Sequence, residues 1–391
     1  MPVVNRVADL QPDIQAWRRD IHAHPELLYD VHRTAAFVAD RLREFGCDEV
    51  ATGLGRTGVV GVIKGRKPAP GGSDVRVIGL RADMDALPIE EETNLAYASK
   101  MPGKMHACGH DGHTAMLLGA ARYLAETRNF AGDAVVIFQP AEEGGAGAAA
   151  MIRDGLMDRF GIDQVYGMHN GPGIPVGSFA IRPGPIMAAT DAIDFRIEGL
   201  GGHAARPHIC IDPVLAGAQL IIALQSVVSR NVDPLESAVI SVCEFVAGNA
   251  RNVIPQVVEL KGTVRTLKSH IRKLVEKRVH EIAAGVAQTT GTKIDVTWER
   301  GYPVTVNHAS QTETATRVAK EIAGEANVHD TPPMMGAEDF AFMLEARPGA
   351  FIFCGNGDSA GLHHPAYNFN DEAIVYGTSY WIRLVENTLA A

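Results

Sequence analysis

Residues 75–85 read Val-Arg-Val-Ile-Gly-Leu-Arg-Ala-Asp-Met-Asp. Val75 to Leu80 is a short, mostly apolar run, the pattern of a strand buried on both faces of a sheet. It breaks at once into Asp83 and Asp85. Three other stretches repeat the motif. Ala134 to Phe138 runs into Gln139-Pro-Ala-Glu142-Glu143, Gln164 to Met168 into His169 and Asn170, and Ala350 to Cys354 leads through Gly355 to Gly361 into His363 and His364. Ligands of open α/β sheets bind beyond the carboxyl ends of the strands. One acidic or histidine-bearing end would mean little; four define a site.

Helical patterns span Asp13 to Leu27, Thr34 to Phe45 and Thr114 to Glu126, and the Gly/Ala run Gly144 to Ala150 starts a tightly packed helix. Alternating strands and helices predict an α/β fold whose mainly parallel sheet is covered by helices. The order changes between Met187 and Arg300. Strand Ala192–Glu198, helix Asp212–Arg230, strands Ala238–Val246 and Gln256–Leu267, helix His270–Thr289 and strand Lys293–Glu299 give β-α-β-β-α-β, a ferredoxin-like α+β unit. Arg182 to Pro185 suits the exit and Gly301 to Pro303 the return. The expected domains are 1–185 with 301–391, and an inserted 186–300.

A chain of 391 residues has room for two domains. Its net charge of −10, from 36 Lys+Arg against 46 Asp+Glu, argues against a nucleic-acid partner, which wants a basic face. No stretch approaches the ~20 apolar residues of a membrane span, and Met1 to Asp20 lacks the basic start and apolar run of a signal peptide. The expectation is a cytoplasmic protein without a membrane partner. Five cysteines in a long chain are not a disulfide framework; Cys47, Cys210, Cys243 and Cys354 read as small hydrophobes.

Cys108 differs because His106, His110, Asp111 and His113 crowd around it. Thiolate and neutral imidazole suit zinc and similar divalent ions, and Cys108 and His110 can face one centre from a loop. Asp111, at the start of a helix, has a capping alternative; His113 reads as a core histidine. Glu142 and Glu143 can divide labour at a metal, one binding it and the other taking a proton from metal-bound water, and spacing does not say which does which. Asp83 or Asp85 can bind the ion or orient another ligand. In the inserted segment, His203 sits among glycines that allow close backbone approach. Arg251 and Asn252 are of the types that hold a carboxylate or an oxyanion.

Eight motifs occur in order: Arg81–Pro88, His106–Asp111, Gln139–Gly144, Gly167–His169, Gly201–Ala204, Asn252–Pro255, Gly336–Phe340 and Leu362–His363. Together they resemble the M20 metallopeptidase family in its amidohydrolase branch, which includes hippurate hydrolases, aminoacylases and plant auxin-conjugate hydrolases. The resemblance runs from His22 to Asp371. It implies a catalytic domain with an inserted lid that mediates dimerisation (homodimer, with a tetramer as alternative). It implies two divalent ions per subunit, Zn²⁺ or Mn²⁺ with Co²⁺ or Ni²⁺ as substitutes, held by Cys108, His110, Glu143, His169 and His363. Glu142 matches the general base and Asp85 the aspartate that orients a neighbouring group. His203 and Asn252 match lid residues that contact substrate, His203 in the partner subunit's site. Glu338 matches a motif residue without an assigned role. His364 stands where the family more often has Ser or Thr, and so competes with His363 as ligand. The implied reaction is hydrolysis of an N-acyl amino acid. The runner-up is a di- or carboxypeptidase of the same family. A thiol enzyme with Cys108 as nucleophile and a binding protein that has lost its chemistry stand behind it.

Overall fold

The computed structural model describes residues 3–68 and 76–390. Along the chain these form α1 (Asn5–His22), α2 (His32–Glu44), β1 (Glu49–Leu54), β2 (Gly58–Lys64), β3 (Val77–Asp83), α3 (His110–Thr127), β4 (Asp133–Gln139), α4 (Gly147–Arg153), β5 (Gln164–Pro172) and β6 (Phe179–Ala180). There follow β7 (Ala189–Glu198), β8 (Gly202–His203), α5 (Pro213–Ser226), β9 (Ala238–Ala247), β10 (Val253–Ile254), β11 (Val257–Thr266), α6 (Ser269–Thr290) and β12 (Lys293–Arg300). The chain closes with α7 (Ala309–Ala323), β13 (Val328–His329), β14 (Gly349–Gly357) and α8 (Ile374–Thr388). Val75, expected to open the first quoted strand, lies outside the described residues.

Two compact units result, Met1–Ile186 with Val306–Pro332 and Asp339–Ala391, and Met187–Thr305 with Pro333–Glu338. The second reaches beyond Arg300 because Thr190 exchanges main-chain bonds with Gly301 and Tyr302, and it takes in Pro333–Glu338 because Ala188 N–H donates to Gly336 O at 2.8 Å.

The first unit carries a mixed sheet in the order β1-β2-β4-β3-β5-β14-β6-β13. Its centre, β4-β3-β5-β14, is parallel. The outer pairs β1/β2, β2/β4 and β14/β6 are antiparallel. The central strands are buried along almost their whole length, which is why they read as unbroken apolar runs. β1 and β2 form a hairpin that the sequence pattern leaves unassigned. α1 starts earlier than expected and stops at His22, not Leu27, as Pro25 disfavours helix just before it. α3 starts four residues before Thr114, so His110 lies in its first turn.

The second unit has an antiparallel sheet in the order β9-β11-β7-β12, with connections β-α-β-β-α-β. β7 alternates, burying Ala189, Asp191, Ile193, Phe195 and Ile197. Asp212 caps α5 by accepting from Val214 N at 2.9 Å, and Pro213 pre-sets its first turn. α5 with the π-turn that follows, Pro213–Asn231, is 19 residues long at a mean hydropathy of 1.3, long and apolar enough to cross a membrane by length and composition. That corrects the expectation that no stretch comes near. Its inner side, Ala216, Leu220, Leu224 and Val227, belongs to the second unit's core, so core packing explains part of its apolar character.

Within this unit Asp191, at the start of β7, is buried against Arg272 of α6, with Nε to Oδ2 at 2.8 Å, and Arg272 also donates to Gly301 O at 3.2 Å. The ion pair ties the exit strand to the return strand. Removing one partner of a buried pair strands the other charge, at a cost of about 3–5 kcal/mol. Asp191→Ala should therefore lower the unfolding free energy of the second unit by that order, read as a lower urea midpoint at unchanged slope, and Asp191→Ala with Arg272→Met should recover part of the loss. Equal midpoints for wild type and Asp191→Ala would show the pair to be dispensable.

Candidate metal centre and active site

The parallel strands end together, and their following loops carry the polar residues. Gly109, at φ +91°, turns the chain from Cys108 into α3, and His110 opens that helix. Beyond β4, Ala141 takes φ +56° and Gly144 φ +93°, placing Glu142 and Glu143 between two tight turns. His169 and Asn170 lie near the end of β5. His363, at φ +64°, is pinned by its N–H to Ala107 O at 2.8 Å.

Six of the sequence-predicted residues come together here. Cys108 Sγ lies 3.3 Å from His169 Nε2, and His363 Nε2 lies 3.2 Å from Glu143 Oε1. Donor atoms of Cys108, His110 and His169 fall within 4.8 Å of one another, as do those of Cys108, Glu143 and His363, and of His110, Glu142 and Glu143. His110 Nδ1 meets Asp85 O at 2.8 Å and His169 Nδ1 meets Asn170 O at 2.7 Å. A carbonyl only accepts, so both Nδ1 atoms carry a proton. Nε2 of His169 presents a lone pair, and Nε2 of His110, where burial opposes protonation but Asp83 and Cys108 raise the pKa, would give up its proton to a metal. His110 Nε2 is buried without a hydrogen-bond partner, and Glu143 Oε1 has only ion-pair contacts, the closest with His363. Buried polar atoms left in this state need an explanation. Imidazole, thiol and carboxylate donors converging on one space fit a divalent metal.

Asp85 does not face this space as a donor. Its two oxygens accept the successive main-chain N–H groups of Glu142 and Glu143, at 2.9 and 3.1 Å. It clamps the peptide that carries both glutamates. Glu142 is buried, with Oε1 3.3 Å from the N–H of Asp339. Geometry favours His363 over His364, although both are exposed. His364 Nδ1 accepts from Ala366 N at 3.0 Å, whereas His363 meets Glu143.

Burial pushes the Cys108 thiol well above its usual range, against the pull of His110. A nucleophilic cysteine needs the opposite, a lowered pKa and access, so the thiol-enzyme reading loses support. Burial holds His169 well below its ordinary value. Burial opposes ionisation of Glu143 too, but His363 and His110 outweigh it and lower its pKa. Both trends leave a metal the lone pairs it requires.

The other predicted residues belong to the second unit. His203 is on β8, paired with Val253 of β10, and its Nδ1 accepts from Ala205 N at 3.1 Å. Asn252 O accepts from Ala204 N at 3.0 Å. Arg251, Asn252 and His203 are all exposed. Glu338 is buried, and its carbonyl accepts from Thr305 Oγ1 at 3.4 Å.

Two networks have no clear signal in the sequence. Asp111 does not cap α3, whose N-terminus has no side-chain cap; it accepts instead from His22 Nδ1 at 2.9 Å and from Arg18 at 3.3 Å. Arg18 also binds Asp371 at 2.8 Å. The second runs from Asp83 through His113 to Asn170. Polar residues on an amphipathic α1 at positions 18 and 22 are the only local signal for the first, and they read equally well as a solvated face.

The model of peptidase family M20/M25/M40 matches residues 79–387. The chain is 45% identical over 388 residues to hippurate hydrolase of Campylobacter jejuni, with 98% of each chain covered. It is 43% identical over 372 residues to N-acetyl-L-cysteine deacetylase of Bacillus subtilis, covering 94% of this chain and 86% of that one. Among solved structures, a Bacillus subtilis dinuclear metal binding peptidase from the M20 family matches with a TM-score of 0.84 and 34% identity, over 98% of this chain and 99% of that one.

The His22–Asp111 contact links α1 to the turn that carries His110, and it is sensitive to pH. Burial opposes the imidazolium, but Asp111 and Glu91 outweigh it and raise His22 to about 9. A folded pKa above the unfolded ~6.5 gives stability that is full below pH ~6.5 and lost as pH rises through 9. Metal-free protein should therefore lose stability between pH 7 and pH 10 in urea unfolding, by about 3 kcal/mol if His22 acts alone. His22→Gln should flatten that slope. An unchanged slope in His22→Gln would assign it to other groups.

Proposed function

Because the chain belongs to peptidase family M20/M25/M40, we propose that it is a metal-dependent amidohydrolase that cleaves N-acyl amino acids to a carboxylic acid and a free amino acid. The observation that carries this reading is Glu142, buried beside a convergent thiol–imidazole–carboxylate donor set. Likeness to hippurate hydrolase over 98% of the chain sets the substrate class. Cys108, His110, Glu143, His169 and His363 would hold two divalent ions, Zn²⁺ or Mn²⁺, with Co²⁺ or Ni²⁺ as substitutes. When bound, such ions polarise the amide carbonyl and make water acidic enough to attack near neutral pH.

The chain's own groups do the rest. Glu142 takes one proton from the attacking water as the new C–O bond forms. It returns that proton to the amide nitrogen as the C–N bond breaks, so the amine leaves neutral and the carboxylate is regenerated. Asp85 keeps Glu142 and Glu143 at fixed spacing through their two N–H groups. His203 is assigned to the carbonyl oxygen, and Arg251 and Asn252 to the amino acid's carboxylate, a pairing for which guanidinium and amide donors suit. The acyl group is aromatic, as in benzoyl or indoleacetyl, or short, as in acetyl. The compartment proposed is the cytoplasm.

The assembly proposed is a homodimer formed through the second unit. β9 is the edge of its sheet, and its Phe245 and Val246 are exposed. On α5 and its π-turn, Leu215, Ile222 and Val228 are exposed, Ile222 to 73%. A free edge beside an apolar helix face is a template for pairing, and a two-fold axis would let the same patch meet itself.

Hydrolysis of a panel of benzoyl-, acetyl- and indoleacetyl-amino acids, with chelator and with metal restored, tests the reaction. Activity should stop on chelation and return with Mn²⁺ or Zn²⁺; cleavage of Gly-Xaa dipeptides alone would establish a peptidase instead. Glu142→Gln should keep its metal and lose at least about a hundredfold in kcat, the range of general acid–base catalysis; a near-normal rate would remove Glu142 from the role.

Dimerisation and the assignment of His203 to a partner's site are tested together. Glu142→Gln and His203→Ala chains, each inactive alone, should regain activity when mixed and reassociated, because one site of each mixed dimer is then complete. Ile222→Asp should sediment as a monomer. No complementation would place His203 in its own subunit's chemistry or outside it.

A further inference from the structure

His113 is buried and is not among the five proposed ligands, yet both of its nitrogens are engaged. Nδ1 lies 2.6 Å from Asp83 Oδ1. Nε2 lies 2.9 Å from the main-chain N of Asn170 and 3.1 Å from its side-chain Nδ2. A peptide N–H can only donate, so Nε2 is the acceptor and Nδ1 carries the proton toward Asp83. Asp83 is itself fixed, its Oδ2 receiving Arg81 at 2.8 Å.

The orientation imposed on Asn170 has consequences for the residues beside it. The carbonyl of Asn170 takes the Nδ1 proton of His169 at 2.7 Å, leaving His169 Nε2 as a lone pair 3.3 Å from Cys108 Sγ. The Asn170 amide donates to the carbonyl of Cys108 at 2.6 Å, and its Oδ1 accepts from Tyr367 at 2.8 Å. Asn170 thus touches the main chain of one proposed ligand and the ring of the other. Space is tight enough that a Cβ at Gly109 would come within 2.3 Å of the Asn170 amide nitrogen.

We propose that His113 is a positioning residue that, through Asn170, sets the tautomer of His169 and its spacing from Cys108. The inference rests on the reading of this cluster as a metal centre. Partners of ligating histidines elsewhere tune metal affinity by about ten- to a hundredfold. A histidine that merely fills the core would not carry that dependence.

The test is titration of the metal-free full-length protein with Co²⁺, read by the thiolate-to-cobalt charge-transfer band and the visible d–d bands. Wild type should bind stoichiometrically with both signatures. His113→Phe keeps an aromatic ring and loses both hydrogen bonds; its affinity should fall by about ten- to a hundredfold, with altered bands. His113→Gln can still offer an acceptor to Asn170, whereas His113→Asn reaches only Asp83. Gln should recover most of the affinity and Asn should not, a comparison that holds even if His113→Phe fails to fold. A folded His113→Phe with wild-type affinity and spectrum overturns the proposal while leaving the metal centre intact, and so does a Gln variant no better than Asn. Absence of cobalt binding in wild type overturns the metal centre and the proposal together.

Discussion

Arg81 is wholly buried at the end of β3, and the polar half of the first unit is organised around its charge. It gives one N–H to Asp83 at 2.8 Å, one to Asp339 at 3.0 Å and one to Gln139 at 2.9 Å. Two branches lead out from it, and Gln139 joins the Asp339 branch by donating to that carboxylate at 2.8 Å. Through Asp83 the fixed geometry passes to His113, Asn170 and the His169–Cys108 pair. Through Asp339 it passes to the other side, since that carboxylate accepts the N–H of Ala148 at the head of α4 and that residue's own N–H points at Glu142. A guanidinium has a rigid fork of donors and cannot give up its proton. It therefore serves as a fixed reference from which the proposed ligand cluster and the proposed base are both held.

The cost of this arrangement is desolvation, and it is met locally. Unpaired buried charges are not tolerated in folded proteins, so each carboxylate here has dedicated donors: Asp83 has Arg81 and His113, Asp85 has two peptide N–H groups, Asp111 has His22 and Arg18. The exceptions are informative. His110 Nε2 is buried without a hydrogen-bond partner, and Glu143 Oε1 has only ion-pair contacts, the closest with His363 at 3.2 Å. Donor atoms left open where others converge on them are the ones a bound cation would satisfy, and binding there would add its free energy to that of folding.

What can be read in the sequence follows the range over which each feature is determined. The central strands are legible because burial on both faces makes them apolar throughout, and the residues just past them are legible because charge after such a run is conspicuous. The ferredoxin-like order of the second unit is legible for a similar reason, since β7 alternates cleanly. The β1–β2 hairpin is not, because Glu49–Leu54 is largely exposed and Gly58–Lys64 carries two glycines, so neither gives a firm period. Asp111 resembles a cap because a helix start is a local signal, while its real partners, His22 and Arg18, are 89 and 93 residues away. His113 reads as a core histidine; it is in the core, but its bonds reach Asp83 and Asn170. Partners distant in sequence leave no mark in spacing or composition.

The second unit shows the complementary limit. The hydropathy of Pro213–Asn231 has two sources that a sequence merges into one. Ala216, Leu220, Leu224 and Val227 face the unit's own core, and Leu215, Ile222 and Val228 do not. A helix apolar on both sides must be covered on both, whether by a core, a membrane or another chain. Its neighbour at the sheet's edge, β9, has main-chain groups along its outer side, with Val246 exposed and Phe245 packed on Gly217 of α5 but partly exposed. A bilayer could cover the helix but not an open strand edge, whose N–H and C=O groups would go unsatisfied in hydrocarbon. A second protein chain can cover both at once, pairing strand with strand and packing helix on helix. Taken with one another, the free edge and the apolar face favour a protein partner of matching shape, and a second copy of this chain supplies one without any new surface.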